Sequence, residues 1–208
     1  MDCIIERTGR RTGREGVVQL LARFCTPRRQ QHAHQVARLA VTLCTRFGVS
    51  MYDGECAGLA HDIARELDEG KIIRLASLDG LPLHRWELCR PVLLHGRASA
   101  TLLEESCPVE EQILEAVRSH VVGKPGMSAL SKIVFAADYL EPGRMFLDEA
   151  LRHRMIACDL DTMVVCVLDG IFAYLAQRQQ EPAAPSLQLY KELTGHDREI
   201  RAKTDKIG

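Results

Sequence analysis

Apolar residues recur at spacings of three and four along most of this 208-residue chain, and this period constrains its fold more than any other feature. The stretch that begins at Pro27 is an example, because Val36, Leu43 and Phe47 share one helical face. Gly48 marks the end of that stretch. Strand-like alternation is scarce and the connections are short. The sequence therefore predicts an all-α bundle.

The same period predicts where the helices lie. They are expected over Val17–Phe24, from Pro27 to Phe47, from just after Asp53 to about Leu67, in short pieces between Glu69 and Cys89, over Gly96–Glu105, Val109–His120, Ser128–Leu140 and Leu160–Ala176, and from about Leu187. The length suits one main domain over residues 16–180. A flexible basic arm over residues 1–15 and a C-terminal linker and helix over residues 181–208 are expected to flank it.

Composition excludes several classes of protein. A formal net charge of -1 provides no bulk positive field for general nucleic-acid binding, so no nucleic-acid partner is expected. No apolar run approaches the roughly 20 residues of a spanning helix, and the N-terminus lacks the apolar core of a secretory signal. A cytoplasmic protein with reduced, mostly buried cysteines is expected, since the eight cysteines form no CxxC pair. The apolar helix Leu160–Ala176 suits either the core or a homodimer interface.

Six polar residues fall on inward helical faces, where charge is normally excluded. They are His32, His61, Asp62, His95, His120 and Asp138. Burying a polar group without a partner costs roughly 2–7 kcal/mol. A single inward histidine is more often a hydrogen-bonded core residue than a ligand, but six such residues on at least four helices are typical of metal sites inside bundles. Imidazole with carboxylate suits iron, manganese, zinc or nickel better than magnesium alone.

The adjacent pair His61 and Asp62 suits a site with two metals. Neighbouring helical side chains diverge by about 100°, so the imidazole can bind one metal while the carboxylate reaches the same metal or bridges to another. The dipeptide alone is common and carries little information. The pair indicates a metal site only together with the other inward residues.

Several segments together resemble one known family. They are RQQHAHQVA, AGLAHDIARE, LLHGRASA, RSHVVGKPGMS and AADYLEPGR. These segments are similar to those of the YqeK-like HD hydrolases, the bacterial symmetrical bis(5'-nucleosyl)-tetraphosphatases, over about Gln30 to Ala176. The resemblance implies an all-α HD-domain helical bundle with an internal dinuclear, di-iron site. It also implies symmetrical cleavage of diadenosine tetraphosphate, a dinucleoside polyphosphate, to two ADP.

The resemblance also implies a role for each inward residue. One metal would take His32, His61, Asp62 and Asp138, the other would take His95 and His120, and Asp62 would bridge them. Two such metals can acidify a shared water, so that hydroxide attacks a phosphorus in line with its leaving oxygen. Asp62 and Arg65 are the predicted catalytic residues, and the substrate phosphates are expected to contact Arg65, Lys124, Gly126 and Arg144.

Two departures from the family pattern leave alternatives open. Arg65 stands where the family usually has lysine, and Val121–Val122 stand where it often has two threonines. An HD-class phosphohydrolase acting on another nucleotide is therefore the first alternative. A non-catalytic regulator that binds nucleotide or metal is the second.

Overall fold

In the computed structural model, residues 13–197 are described, and every regular element among them is helical. The elements are α1 (Gly13–Phe24), α2 (Pro27–Phe47), α3 (Met51–Ala60), α4 (Glu69–Ser77), α5 (Arg85–Leu88), a 3₁₀ helix (Pro91–Leu94), α6 (His95–Ser106), α7 (Glu111–Ser119), α8 (Ala129–Leu140), α9 (Glu149–Ala157), α10 (Leu160–Gln177) and α11 (Ala184–Thr194). The predicted all-α architecture is confirmed.

The predicted third helix starts within a few residues of the observed one but is wrong at its C-terminal end. Helix α3 begins at Met51 because the Ser50 side chain accepts a hydrogen bond from the Asp53 N–H, and it ends at Ala60 rather than near Leu67. The Ala64 N–H, instead of continuing the helix, donates to the Ser99 hydroxyl at 3.0 Å. The residues after Ala60 therefore form a turn that carries the His–Asp pair.

Helix α9 was not predicted at all. Its buried residues are only Arg152 and Met155, so it lacks the apolar stripe that indicates a helix in a sequence. Its N-terminus is capped by Asp148, whose side chain accepts a hydrogen bond from the Leu151 N–H at 3.0 Å.

The two ends of the chain also differ from the prediction. Of the predicted arm over residues 1–15, residues 1–12 lie outside the described residues, and Gly13 to Glu15 form the first turn of α1. Helix α11 begins at Ala184, a few residues before the predicted start, with Pro185 in its first turn. The remaining predicted helices agree with the structure to within a few residues.

Helices α2, α3, α7 and α8 pack around the main core, and α6 packs against α7. The contact of α3 with α2 is close, since a Cβ at Gly58 would lie 2.6 Å from the Ala37 Cα. The contact of α6 with α7 is also close, since a Cβ at Gly96 would lie 3.0 Å from the Val117 carbonyl oxygen. These two small residues let the helices that carry the inward histidines approach one another.

The outer helices complete the bundle. Helix α4 packs against α6 over a smaller apolar cluster, and α10 packs against α8, α9 and α11. By length and mean hydropathy, 1.5, α10 is the one helix among residues 13–197 that could cross a membrane. That finding differs from the sequence expectation, although helices of soluble bundles often have the same composition, and α10 packs within the bundle.

Candidate metal centre

The fold brings together all six inward residues predicted from the sequence. His32 lies on α2, His61 and Asp62 follow the end of α3, His95 begins α6, His120 follows α7, and Asp138 lies near the end of α8. His61, Asp62, His95 and His120 are buried, whereas His32 and Asp138 are partly buried.

The turn that carries His61 and Asp62 is held on two sides. The Ala64 N–H donates to buried Ser99 of α6, and the Cys25 thiol lies 3.7 Å from the Asp62 carbonyl oxygen. Thr26 anchors the same segment, since its N–H donates to the Glu66 carboxylate at 2.7 Å. These contacts fix the direction in which the Asp62 carboxylate points.

Three of the four histidines are oriented by their own local chain. In each, Nδ1 faces the carbonyl oxygen of the residue three positions earlier: His61 with Gly58 at 2.7 Å, His95 with Val92 at 2.5 Å, and His120 with Val117 at 2.8 Å. A carbonyl oxygen can only accept a hydrogen bond, so each Nδ1 must carry the proton. The Nε2 atom of each ring then faces the centre, on the side opposite the carbonyl contact.

His32 is oriented differently. Its Nδ1 lies 3.2 Å from the Glu141 Oε1 atom, and its Nε2 faces the centre like the other three. Glu141 is buried, and sequence reasoning did not identify it. Its position within the EPGR segment was the only available signal.

The donor atoms form overlapping groups: two of them share Asp62, and a third, of His61, His120 and Asp138, connects these two. In one group, the Nε2 atoms of His95 and His120 are 3.1 Å apart, and Asp62 Oδ1 lies 2.9 Å and 3.7 Å from them. In the other, the Nε2 atoms of His32 and His61 are 3.2 Å apart, and Asp62 Oδ2 lies 3.6 Å and 3.5 Å from them. Asp138 Oδ1 joins the second group, 3.0 Å from His32 Nε2 and 3.8 Å from His61 Nε2.

This arrangement fits a divalent transition metal. Lone pairs and carboxylate oxygens that converge this closely repel one another unless a proton or a cation lies between them. Two ligands about 2.1 Å from one cation and about 90° apart would be about 3.0 Å from each other, close to the shorter spacings here. Nitrogen and oxygen donors without a thiolate match several first-row metals and do not distinguish among them.

The cluster shifts the pKa values of its own members. Burial opposes the charge on Asp62, but the attraction of His61 and hydrogen bonds from the surrounding histidines outweigh it and hold the carboxyl pKa well below its usual range. Burial likewise opposes charge on Asp138, whose pKa is nevertheless lowered, first by its hydrogen bond with His32. In His32, hydrogen bonds to Asp138 and Glu141 outweigh burial and raise the pKa to about 9.

Two arginines contact the carboxylates of the centre. Arg29 Nη1 lies 2.5 Å from Asp62 Oδ2, and Arg144 pairs with Asp138 Oδ1 and donates from Nε to the Asp138 carbonyl oxygen at 3.0 Å. Arg144 was predicted, whereas Arg29 was missed, although it precedes His32 by one helical turn. Both arginines line a cavity of about 400 Å³ that also includes His32.

The other predicted phosphate contacts lie elsewhere. Arg65 is partly buried and forms no ion pair with any residue in 13–197. Lys124 Nζ lies 3.1 Å from the Glu115 carboxylate, and the Gly126 N–H donates to the Glu192 carboxylate at 2.9 Å. None of these three lines the cavity beside His32.

The two valines that depart from the family pattern have packing roles. A Cβ at Gly96 would lie 2.9 Å from Val121 Cγ2, so Val121 lies close to the start of α6. The Val122 carbonyl accepts a hydrogen bond from the Ser186 hydroxyl at 2.6 Å, which ties this turn to α11.

Comparison with known proteins identifies the family. A family model described as HD domain matches residues 29–143, a range that contains all six converging residues. The chain belongs to the HD domain family. Similarity to the family named in the sequence analysis also extends beyond residues 29–143. A Bacillus subtilis (strain 168) protein named symmetrical bis(5'-nucleosyl)-tetraphosphatase is 29% identical over 170 residues, which cover 80% of this chain and 90% of that protein.

One further relative and one solved structure are also similar to this chain over most of its length. A Halalkalibacterium halodurans protein with the same name is 29% identical over 85% of this chain and 94% of its own length. The crystal structure of a predicted HD superfamily hydrolase involved in NAD metabolism from Clostridium acetobutylicum has a TM-score of 0.82 at 25% identity, covering 90% of this chain and 99% of that one. The prediction of an HD-class enzyme is confirmed.

Proposed function

We propose that this HD-domain protein hydrolyses diadenosine tetraphosphate symmetrically to two ADP at a dinuclear metal centre, with iron as the resident metal. The observation that carries the proposal is the position of the Asp62 carboxylate. Its Oδ1 atom faces the His95 and His120 pair, and its Oδ2 atom faces the His32 and His61 pair. One carboxylate can therefore serve two cation sites at once.

The substrate is proposed from the relatives. Two proteins that this chain matches over most of their length are named symmetrical bis(5'-nucleosyl)-tetraphosphatases. Iron is proposed from the family resemblance, and manganese, zinc or nickel would suit the same donors. When bound, such metals supply Lewis-acid stabilisation of phosphate charge and acidify water at neutral pH.

The chain itself supplies the means to position the polyphosphate. Arg29 and Arg144 lie at the carboxylates of Asp62 and Asp138, on the same side of the centre as the cavity. Cations bound to Asp62 and Asp138 would compete with these arginines, leaving both guanidinium groups to bind phosphate oxygens in forked geometry. A cavity of about 400 Å³ is within the range of small-molecule sites, roughly 300–1,000 Å³, so it can accept one half of the substrate.

Symmetrical cleavage makes modest demands on proton transfer. The bond that breaks lies in the middle of the tetraphosphate, and the departing ADP is a good leaving group without a strong general acid. The buried arrangement of His61, His95 and His120, each holding its proton on Nδ1, suits ligands rather than proton donors. Arg65, one turn after Asp62, remains a predicted catalytic and phosphate-binding residue.

A related substrate is the second candidate. The side chains of Val121 and Val122 offer no hydroxyl groups beside His120, so an HD-class phosphohydrolase acting on another nucleotide would also suit this site. We also propose a cytoplasmic location and a homodimer formed through the outer face of α10, with no nucleic-acid partner.

Anaerobic turnover tests the proposed function. The protein would be purified without oxygen, loaded with ferrous iron and given diadenosine tetraphosphate, and its products would be separated by ion-exchange chromatography beside His61→Ala and Asp62→Ala variants. ADP as the only product, lost in both variants, is the expected result. AMP with ATP would contradict the cleavage position. Nucleotide binding without turnover, with any loaded metal, would favour the regulator.

A further inference from the structure

We propose that Glu141 is a positioning residue that holds His32 in the tautomer able to bind metal. The proposal rests on the proposed metal-dependent function and concerns a carboxylate that donates no atom to any group of converging ligands. His32 differs from the other three histidines of the centre in the partner of its Nδ1 atom.

The ring of His32 lies between two carboxylates. Its Nδ1 is 3.2 Å from Glu141 Oε1, and its Nε2 is 3.0 Å from Asp138 Oδ1. Each carboxylate accepts a proton well, and with a pKa of about 9 the metal-free ring holds a proton on both nitrogens at neutral pH. A metal must displace the Nε2 proton, while the Nδ1 proton stays on the side of Glu141. Only the form with the proton on Nδ1 leaves the Nε2 lone pair available to a metal.

No described carbonyl oxygen close in sequence holds the Nδ1 proton of His32. His61, His95 and His120 each face a carbonyl oxygen three residues earlier, whereas the Nδ1 partner of His32 comes from a residue 109 positions away. The metal-competent form of His32 therefore depends on a tertiary contact. Glu141 is the only described residue hydrogen-bonded to this Nδ1.

Glu141 is itself held firmly. Its side chain is 3% exposed, its Oε2 accepts the Gly143 N–H at 2.5 Å, and its Oε1 lies 3.7 Å from Arg144 Nε. A buried, anchored carboxylate of this kind orients a histidine ligand and makes it more basic.

Without Glu141, His32 would have one carboxylate partner, Asp138. The ring would then place its proton on Nε2 and donate it to Asp138, which closes both ligand atoms to metal. The loss should affect the site that contains His32 and spare the site formed by His95 and His120. Arg144 follows in the same turn, so Glu141 also links metal binding to a residue that lines the substrate cavity.

The test compares Glu141→Ala, Glu141→Gln and, as a matched control, Glu111→Gln. Glu111 pairs with Arg118 at 3.2 Å on the exposed side of α7, so its variant removes one negative charge without touching the centre. Binding of Mn²⁺ would be measured by calorimetry. Nitrogen-15 spectra of the histidine rings would be recorded on metal-free protein at a pH above about 10, where the His32 ring carries a single proton. Thermal unfolding under the same conditions would confirm that each variant is folded.

We expect Glu141→Ala to weaken one of two Mn²⁺ sites by about 10–100-fold and to move the His32 proton to Nε2. Glu141→Gln, whose amide oxygen still accepts from Nδ1, should retain the wild-type tautomer and most of the affinity. Glu111→Gln should match the wild type. Unchanged tautomer and affinity in Glu141→Ala would overturn the proposal, as would equal losses in the alanine and glutamine variants.

These readouts separate this proposal from the proposed function. Weaker Mn²⁺ binding by Glu141→Ala in a protein that does not cleave diadenosine tetraphosphate would support Glu141 and reject the substrate. A wild-type protein that binds no metal would reject the metal centre, and the nitrogen-15 spectra would still decide whether Glu141 sets the tautomer of His32.

Discussion

Replacing Gly58 by alanine should both destabilise the fold and weaken metal binding, because Gly58 lies where α3 crosses α2. A Cβ at this position would lie 2.6 Å from the Ala37 Cα and 2.9 Å from the Ala37 N. Both are backbone atoms, so no side-chain rotation can relieve the contact. The two helices must therefore separate by part of an ångström or more.

The magnitude follows from two opposing effects. Overpacking a tight interface costs roughly 1–3 kcal/mol. Alanine is better than glycine inside a helix by about 0.8–1.0 kcal/mol, which offsets part of that loss. The difference is about 0–2 kcal/mol, and because both close contacts are with backbone atoms we expect its upper half, about 1–2 kcal/mol, as the fall in the free energy of unfolding. The melting temperature should then fall by roughly 2–8 °C in a chain of this size.

The second effect reaches the metal centre through His61. The Gly58 carbonyl holds the His61 ring, and the His61 Nε2 lies 3.2 Å from the His32 Nε2 of α2. Separating α3 from α2 moves these two nitrogens apart. We therefore expect Mn²⁺ affinity at this pair to fall about tenfold or more, as for other losses of ligand positioning.

Thermal denaturation and calorimetry of Gly58→Ala check both effects, with Gly70→Ala as the matched control. Gly70 lies exposed in α4, where a Cβ would meet only the Asp68 side chain at 3.5 Å, an ordinary contact. That substitution should stabilise the protein by roughly 0.4–1 kcal/mol and leave metal binding unchanged. A Gly58→Ala variant as stable as Gly70→Ala would refute the packing argument. A destabilised variant with wild-type metal affinity would refute the link to His61.

Three further predictions concern single side chains. Asp62→Asn should leave at most one tightly bound metal and reduce turnover at least a hundredfold, because the bridging carboxylate is lost. Elemental analysis would count the bound metal, and two metals with normal turnover would contradict this prediction. Arg144→Ala should raise KM for diadenosine tetraphosphate about tenfold, whereas Lys71→Ala, which removes an exposed pair with Asp68 outside the cavity, should change KM less than threefold. Equal effects in steady-state kinetics would argue against the cavity. Burial raises the pKa of the Cys25 thiol to about 12, so the reactive thiolate is scarce at pH 8. Iodoacetamide should therefore label exposed Cys89 long before Cys25 in peptide mass spectra of the native protein.

Much of the fold could be predicted because helical periodicity is a local property. The apolar stripe of α2, its first residue Pro27 and its terminating Gly48 are all visible in the sequence, and each acts within a few residues. Helix α9 shows the limit of this reasoning. Its buried side includes Arg152, whose Nη2 donates to the carbonyl oxygen of Arg144. No apolar pattern in the sequence predicts such a helix.

The sequence by itself determined which polar residues face inward, because a residue's face follows from its position in the helical period. His32, His95 and Asp138 could be chosen in this way, and the family resemblance agreed. Only the tertiary structure decided which residues meet. Arg29 contacts Asp62 across 33 positions, and Glu141 contacts His32 across 109, since helix packing rather than local period sets those distances.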